Sequence, residues 1–169
     1  MNLKDNMNTS ADNSLLLGGG KGRGLSAVLF PGSFNPFTRG HADIVRRALL
    51  MFDEVVVGVG CNESKAGAVS PEERAEKIRK LYAGNPRVRV GCYSGLTADF
   101  AKANGVVAIV RGVRSFADYE YEMQMADVNR QLFGIETIIL PASPEFAALS
   151  SSVVRELLHF GHDVSDLLP

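Results

Sequence analysis

Between Phe30 and His41 the chain reads Phe30-Pro31-Gly32-Ser33-Phe34-Asn35-Pro36-Phe37-Thr38-Arg39-Gly40-His41, a run of residue types suited to capturing a small anion. Pro31, Pro36, Gly32 and Gly40 fix a tight loop and let the backbone approach a ligand closely. His41 falls where a helix is expected to begin, so its ring and the unpaired N–H groups of the first turn can face one anion. Ser33 adds a hydroxyl near the end of the preceding strand. A rigid strand-to-helix turn with a capping histidine has the same pattern, and the segment alone leaves both readings open.

Two further clusters carry similar chemistry. Arg111 closes a β-branched run and Arg114 follows past Gly112, which sets two guanidinium groups near a strand end, where their paired donors suit phosphate oxygens. Glu120 and Glu122 come next, at the expected start of a helix, a place that favours carboxylates in any case. Ser150, Ser151 and Ser152 precede an apolar helical stretch, with Arg155 about one turn in. One serine suffices as a cap; three with an arginine favour a phosphate at the helix's positive end. Lys65, in Cys61-Asn62-Glu63-Ser64-Lys65, reads from spacing as an ordinary loop lysine. Cys61, Cys92, His159 and His162 form no metal-type pattern and take no functional role.

The elements that must position these groups alternate. β-branched runs lie at 27–30, 54–59, 88–93, 106–110 and 136–140, and helical patterns at 41–52, 71–82, 97–104, 119–133 and 152–160. The second helix has the clearest start: Ser70 caps, Pro71 suits the first turn, and Glu73 completes a capping box. The pattern predicts an α/β fold, a doubly wound, Rossmann-like, five-stranded, mostly parallel sheet with helices on both faces. Such sheets bind ligands beyond the carboxyl ends of their strands, where the strand order reverses. Tyr121, Met125, Val128 and Leu132 form a stripe that suits either the core or a subunit interface.

The 169 residues divide into a flexible N-terminal extension, 1–26, and a single working domain, 27–169. The Gly18–Gly24 stretch is not a phosphate loop, since no Ser or Thr follows Lys21 and no strand precedes it. With 18 Lys and Arg against 19 Asp and Glu, the net charge of −1 argues against coating nucleic acid or an anionic membrane surface. No apolar run approaches a spanning length, and two cysteines point to a reducing compartment.

Pro31-Gly32-Ser33-Phe34-Asn35-Pro36 with Thr38-Arg39-Gly40-His41 resembles the first signature of the nucleotidyltransferase superfamily that carries a (His/Thr)-x-Gly-His motif. The resemblance narrows to bacterial phosphopantetheine adenylyltransferases at Arg111-Gly112-Val113-Arg114-Ser115-Phe116-Ala117-Asp118-Tyr119-Glu120-Tyr121-Glu122 and at Leu149-Ser150-Ser151-Ser152-Val153-Val154-Arg155. It implies a single nucleotidyltransferase domain that transfers an adenylyl group from ATP to 4′-phosphopantetheine, giving dephospho-coenzyme A and pyrophosphate by in-line attack without a covalent intermediate. It also implies Mg2+ on the ATP phosphates, a homohexamer, and a cytoplasmic enzyme with no nucleic-acid or membrane partner.

Residue by residue, the resemblance assigns His41, Lys65 and Arg111 to catalysis. ATP would be held by Ser33, Phe34, His41, Gly112, Val113, Arg114, Glu122 and the stretch Phe146-Ala147-Ala148-Leu149-Ser150-Ser151-Ser152. The acceptor would meet Ser33, Lys65, Thr97 and Arg111. Ser33 stands where threonine is common and Asn35 where aspartate is common, and the stretch after His162 is shorter than in many relatives. A nucleotidyltransferase for nicotinamide mononucleotide or a small phosphorylated alcohol, and a nucleotide-binding module without catalysis, are the alternative readings.

Overall fold

A computed structural model of the chain describes residues 26–61 and 69–169. The extension expected over 1–26 lies outside the described residues except for Ser26, and so does Lys65. Strands β1 (Ala27–Gly32), β2 (Glu54–Gly60), β3 (Val88–Tyr93), β4 (Ala108–Val113) and β5 (Glu136–Pro141) alternate with helices α1 (Arg39–Ala48), α2 (Pro71–Leu81), α3 (Thr97–Ala103), α4 (Phe116–Phe133) and α5 (Ser151–His159). All strand pairs are parallel, in the order β3-β2-β1-β4-β5, so the order reverses between β1 and β4. The doubly wound expectation holds.

Alternation along β1 explains the two-sided core. Val28 and Phe30 pack with Ile44, Val45 and Ala48 of α1 and Ala75 and Ile78 of α2. Leu29 turns to the other face and joins Val56, Ile109, Ala98, Ala101 and Ile135. Each central strand is therefore apolar on both sides, as a parallel sheet between helices requires.

Pro31 decides where the sheet opens. Ala27 and Leu29 turn their backbone polar groups toward β4: the Ala27 carbonyl accepts from Val107 N–H, and Leu29 pairs with Ile109. Pro31 is next in that alternation but has no N–H to give. The β1–β4 ladder stops at Leu29 opposite Ile109, while β1–β2 runs on to Gly32 opposite Val59. Beyond Pro31 the strands part, and that gap becomes the site.

The boundaries differ from expectation where they bear on the site. β4 begins and ends later than the 106–110 run, so Arg111 lies within the strand, opposite Ile139 of β5, rather than just past its end. Gly112 allows this, because a Cβ there would stand 3.1 Å from Ile44 Cγ1 under α1. α4 begins at Phe116, capped by Ser115, so Glu120 and Glu122 fall after the first turn rather than at the helix start. Glu122 is the buried residue of α4, while Tyr121, Val128 and Leu132 of the apolar stripe are exposed. Among the described residues no helix is long and apolar enough to cross a membrane.

Candidate active site

A crevice of about 480 Å³ opens beyond the carboxyl ends of β1 and β4. Gly40 and His41 of α1, Ala117 and Asp118 of α4, and Ser151 and Ser152 of α5 border it, so three helices begin there. First turns carry unpaired N–H donors and the positive ends of the helix dipoles. Their convergence suits an anion with several phosphate groups.

His41 is part of the cap as well as of the crevice. Thr38 precedes α1; its hydroxyl accepts from His41 N–H at 3.4 Å, and its own N–H donates to His41 Nδ1 at 3.0 Å. The capping reading is seen directly, and the same side chain also lines the crevice. Since Nδ1 accepts, the neutral ring carries its proton on Nε2. Phe34 and Phe37 surround the ring at centroid distances of 5.1 and 5.4 Å. Burial, with the nearby charges of Arg114 and Arg111, lowers its pKa from 6.5 to about 4. His41 is thus a neutral donor near pH 7, not a cation.

Unfolding returns the ring to its ordinary 6.5, so between that value and about 4 the unfolded chain binds a proton that the folded chain does not. The contribution of His41 to stability is complete above 6.5 and declines as pH falls to about 4. Nitrogen NMR of the ligand-free protein is expected to show the neutral Nε2–H form at about pH 5.5, with the signal assigned by its loss in His41→Gln. A ring protonated at that pH would refute the neutral-donor assignment.

Arg111 is held rigidly. Its Nε and Nη2 donate to Glu122 at 2.8 and 2.5 Å, and Nη1 spans the opened ladder to the Pro31 carbonyl at 2.7 Å. A guanidinium has five N–H donors, so two remain for a ligand. Both Glu122 oxygens are engaged by Arg111, which makes its observed role the orientation of that side chain. Arg114 donates from Nε to Asp118 at 3.1 Å, and no described group takes its terminal nitrogens.

The serines divide their work. Ser150 caps α5 by accepting from Val153 N–H, Ser151 donates to the Pro36 carbonyl at 2.8 Å, and Ser152 accepts from Arg155. Arg155 Nη1 also reaches the Asn35 carbonyl at 2.5 Å, so α5 is tied to the Ser33–Phe37 loop. Ser33, Phe34, Gly112, Phe146 and Leu149 line the crevice, whereas Val113, Ala147 and Ala148 are not among its lining residues. Thr97 lies elsewhere, with its hydroxyl bonded to Tyr93 at 2.9 Å.

A second cavity, of about 220 Å³, is lined by Ser33, Gly60, Cys61, Tyr93 and Gly95. Ser33 faces both cavities and stands between them.

Two carboxylates beyond the expected site residues, Asp43 and Asp118, brace the helices that border the crevice. Asp43, buried on α1, accepts from Ser143 at 2.7 Å and from Arg46, which ties α1 to the segment after β5. Burial pushes its carboxyl up, but the Ser143 and Arg46 hydrogen bonds and the charges of Arg46 and Arg47 hold it below the usual range. Asp118 was signalled by its place three residues after Ser115, a capping spacing. No cluster of three His, Cys, Asp or Glu among the described residues could hold a metal ion, and Asp118 and Glu122 are both engaged by arginines. The described side chains do not fit a resident Mg2+.

A cytidylyltransferase-like family model matches residues 29–157. A phosphopantetheine adenylyltransferase of Porphyromonas gingivalis is 52% identical over 142 residues, 84% of this chain and 93% of that protein. One from Phocaeicola vulgatus is 53% identical over 84% of this chain and 94% of that protein, and one from Frankia alni is 46% identical over 82% and 88%. Among solved structures, a bifunctional NMN adenylyltransferase/ADP ribose pyrophosphatase from Francisella tularensis shares the fold, with a TM-score of 0.62 and 15% identity. That likeness covers 85% of this chain and 45% of the other.

Proposed function

The chain belongs to the phosphopantetheine adenylyltransferase family, and we propose that it transfers the adenylyl group of ATP to 4′-phosphopantetheine, yielding dephospho-coenzyme A and pyrophosphate. The observation that carries this reading is Ser33, which lines both the crevice where three helices begin and a second, smaller cavity. A phosphate oxygen of the acceptor attacks the α-phosphorus, a new P–O bond forms, and the bond to the β-phosphate oxygen breaks as pyrophosphate leaves. No covalent enzyme intermediate is needed, so the protein contributes position and charge stabilisation.

His41 donates from Nε2 to an α-phosphate oxygen as negative charge builds there. The free donors of Arg111 hold the attacking phosphate. The nucleotide lies along Arg114, Gly112 and the first turn of α5, with Phe34 N–H near its phosphates. Lys65 keeps the phosphate contact that the family resemblance implies. Mg2+ enters on ATP, bound by phosphate and water.

The exposed apolar face of α4, with Phe116 at 81% and Leu132 at 71%, supports assembly through that helix, and we take the assembly to be the homohexamer of the resemblance. Its compartment in this reading is the cytoplasm, in keeping with the free thiols Cys61 and Cys92. Incubation with MgATP and each candidate acceptor, scored for pyrophosphate, tests the function. Release with 4′-phosphopantetheine is expected. Preference for nicotinamide mononucleotide would change the acceptor, and no release with any acceptor would leave a binding module. Light scattering at the mass of a trimer or less would remove the hexamer.

A further inference from the structure

Thr38, Asp43, Arg74 and Glu122 are the buried polar or charged residues among those described. Thr38 serves the cap of α1, Asp43 meets Arg46 and Arg47, and Glu122 meets Arg111. Arg74 of α2 is different. It is 9% exposed, yet no carboxylate among the described residues pairs with it. Its Nε donates to the carbonyls of Val69 and Ser70 at 3.1 and 3.3 Å, and its Nη1 donates to the carbonyl of Ser33. A buried cation without a counter-ion is costly, and packing α2 on the sheet does not require one.

What Arg74 reaches gives it a purpose. The Ser33 carbonyl belongs to the same peptide unit as Phe34 N–H. Phe34 has φ 45°, a region that bulky residues seldom adopt, and no described protein group accepts from its N–H. Ser33 and Phe34 both line the crevice, while Arg74 lies behind the loop in a separate hollow.

We infer that Arg74 is a positioning residue for stabilising the phosphates as charge builds in the transition state: its guanidinium clamps the Ser33 carbonyl, keeps Phe34 in its left-handed conformation and polarises the shared peptide. Phe34 N–H then donates more strongly into the crevice. A charged donor on one end of a peptide strengthens the bond made by the other, in the way hydrogen-bonded chains reinforce each other. Arg74 touches no substrate and acts only through the loop. The activity readout rests on the adenylyl-transfer reading above; the amide readout does not.

Arg74→Met removes the cation without leaving a buried charge. It is expected to keep the fold, to lower kcat at least about tenfold with ATP KM changed by less than about threefold, and to move the Phe34 amide proton upfield. Arg74→Lys reaches Ser33 only by giving up Val69 or Ser70, so a loss of about threefold to tenfold in kcat and a smaller amide shift are expected. A folded Arg74→Met with wild-type kcat and an unmoved amide would overturn the role, as would a loss of activity that only tracks the folded fraction. If Arg74→Met does not fold, Arg74→Lys decides, and wild-type kcat with an unmoved resonance overturns it. If the wild type releases no pyrophosphate with any acceptor, the adenylyl-transfer reading fails, and the amide shift alone still tests Arg74.

Discussion

His41→Ala is expected to lower kcat by about 10²–10³-fold while the Kd for ATP changes by less than about threefold, the range found when one preorganised oxyanion donor is removed. The expectation follows from protonation. Thr38 N–H occupies Nδ1, and the ring's pKa lies at about 4, so the group facing the crevice near pH 7 is a neutral N–H. A neutral donor adds little Coulombic attraction to ground-state ATP, which in the proposed reading lies beside Arg114 in a crevice where three helices begin. It matters most when charge accumulates on the α-phosphate oxygens, and that selectivity appears in kcat.

His41→Gln separates donor from cation. A glutamine at this position can complete the capping box with Thr38 and still present an N–H to the crevice, without charge. It should keep at least about tenfold more activity than His41→Ala, whose turnover loss comes with about 0.5–1.5 kcal/mol from the lost Thr38 N–H to Nδ1 hydrogen bond. Equal loss in both variants, measured by pyrophosphate release per folded site, would mean that a protonated ring does the work. An alanine variant within about tenfold of wild type would remove His41 from the chemistry.

The fold was legible because alternating β-branched runs and helical patterns leave little choice beyond a parallel sheet between helices. The place of the crevice follows from the reversal of strand order. What escaped the reading are contacts made by residues whose local pattern points elsewhere. Arg74 sits among Glu72, Glu73, Glu76 and Lys77, so it reads as one more solvated charge, yet it is buried and reaches the loop after β1 at the Ser33 carbonyl. In α4 the pattern is reversed: the apolar stripe faces outward and a glutamate faces inward, the opposite of what amphipathic spacing implies for a lone chain. Pro31 was visible as a loop former, but its larger effect is to end a ladder, which depends on the side to which its alternation points. Local sequence carries propensity; partners 40 to 120 residues away, as in Arg74–Ser33 and Arg155–Asn35, lie beyond it.

The Arg111–Glu122 pair leads to the second large effect, and to an asymmetry. Arg111→Met should lower kcat by at least about 10²-fold, since the cation nearest the gap between β1 and β4 disappears. It should also destabilise the fold by about 3–5 kcal/mol, the cost of leaving a buried charge without its partner, because the Glu122 side chain is only 10% exposed. Glu122→Met removes the buried member instead. The Arg111 side chain is 31% exposed at the crevice, where water can solvate it, and it keeps the Pro31 carbonyl. The stability loss should then be smaller, about 1–2 kcal/mol, while kcat still falls at least about tenfold because the guanidinium is no longer aimed. In Arg111→Met/Glu122→Met no charge is stranded, so much of the stability should return, whereas activity should stay at or below that of Arg111→Met alone. Denaturant midpoints and single-site turnover measured on the three variants check each part. If the double variant is as unstable as the sum of the two single ones, the pair is not coupled. If it recovers activity along with stability, Arg111 serves the fold rather than the reaction, and the cation that holds the attacking phosphate must be sought elsewhere.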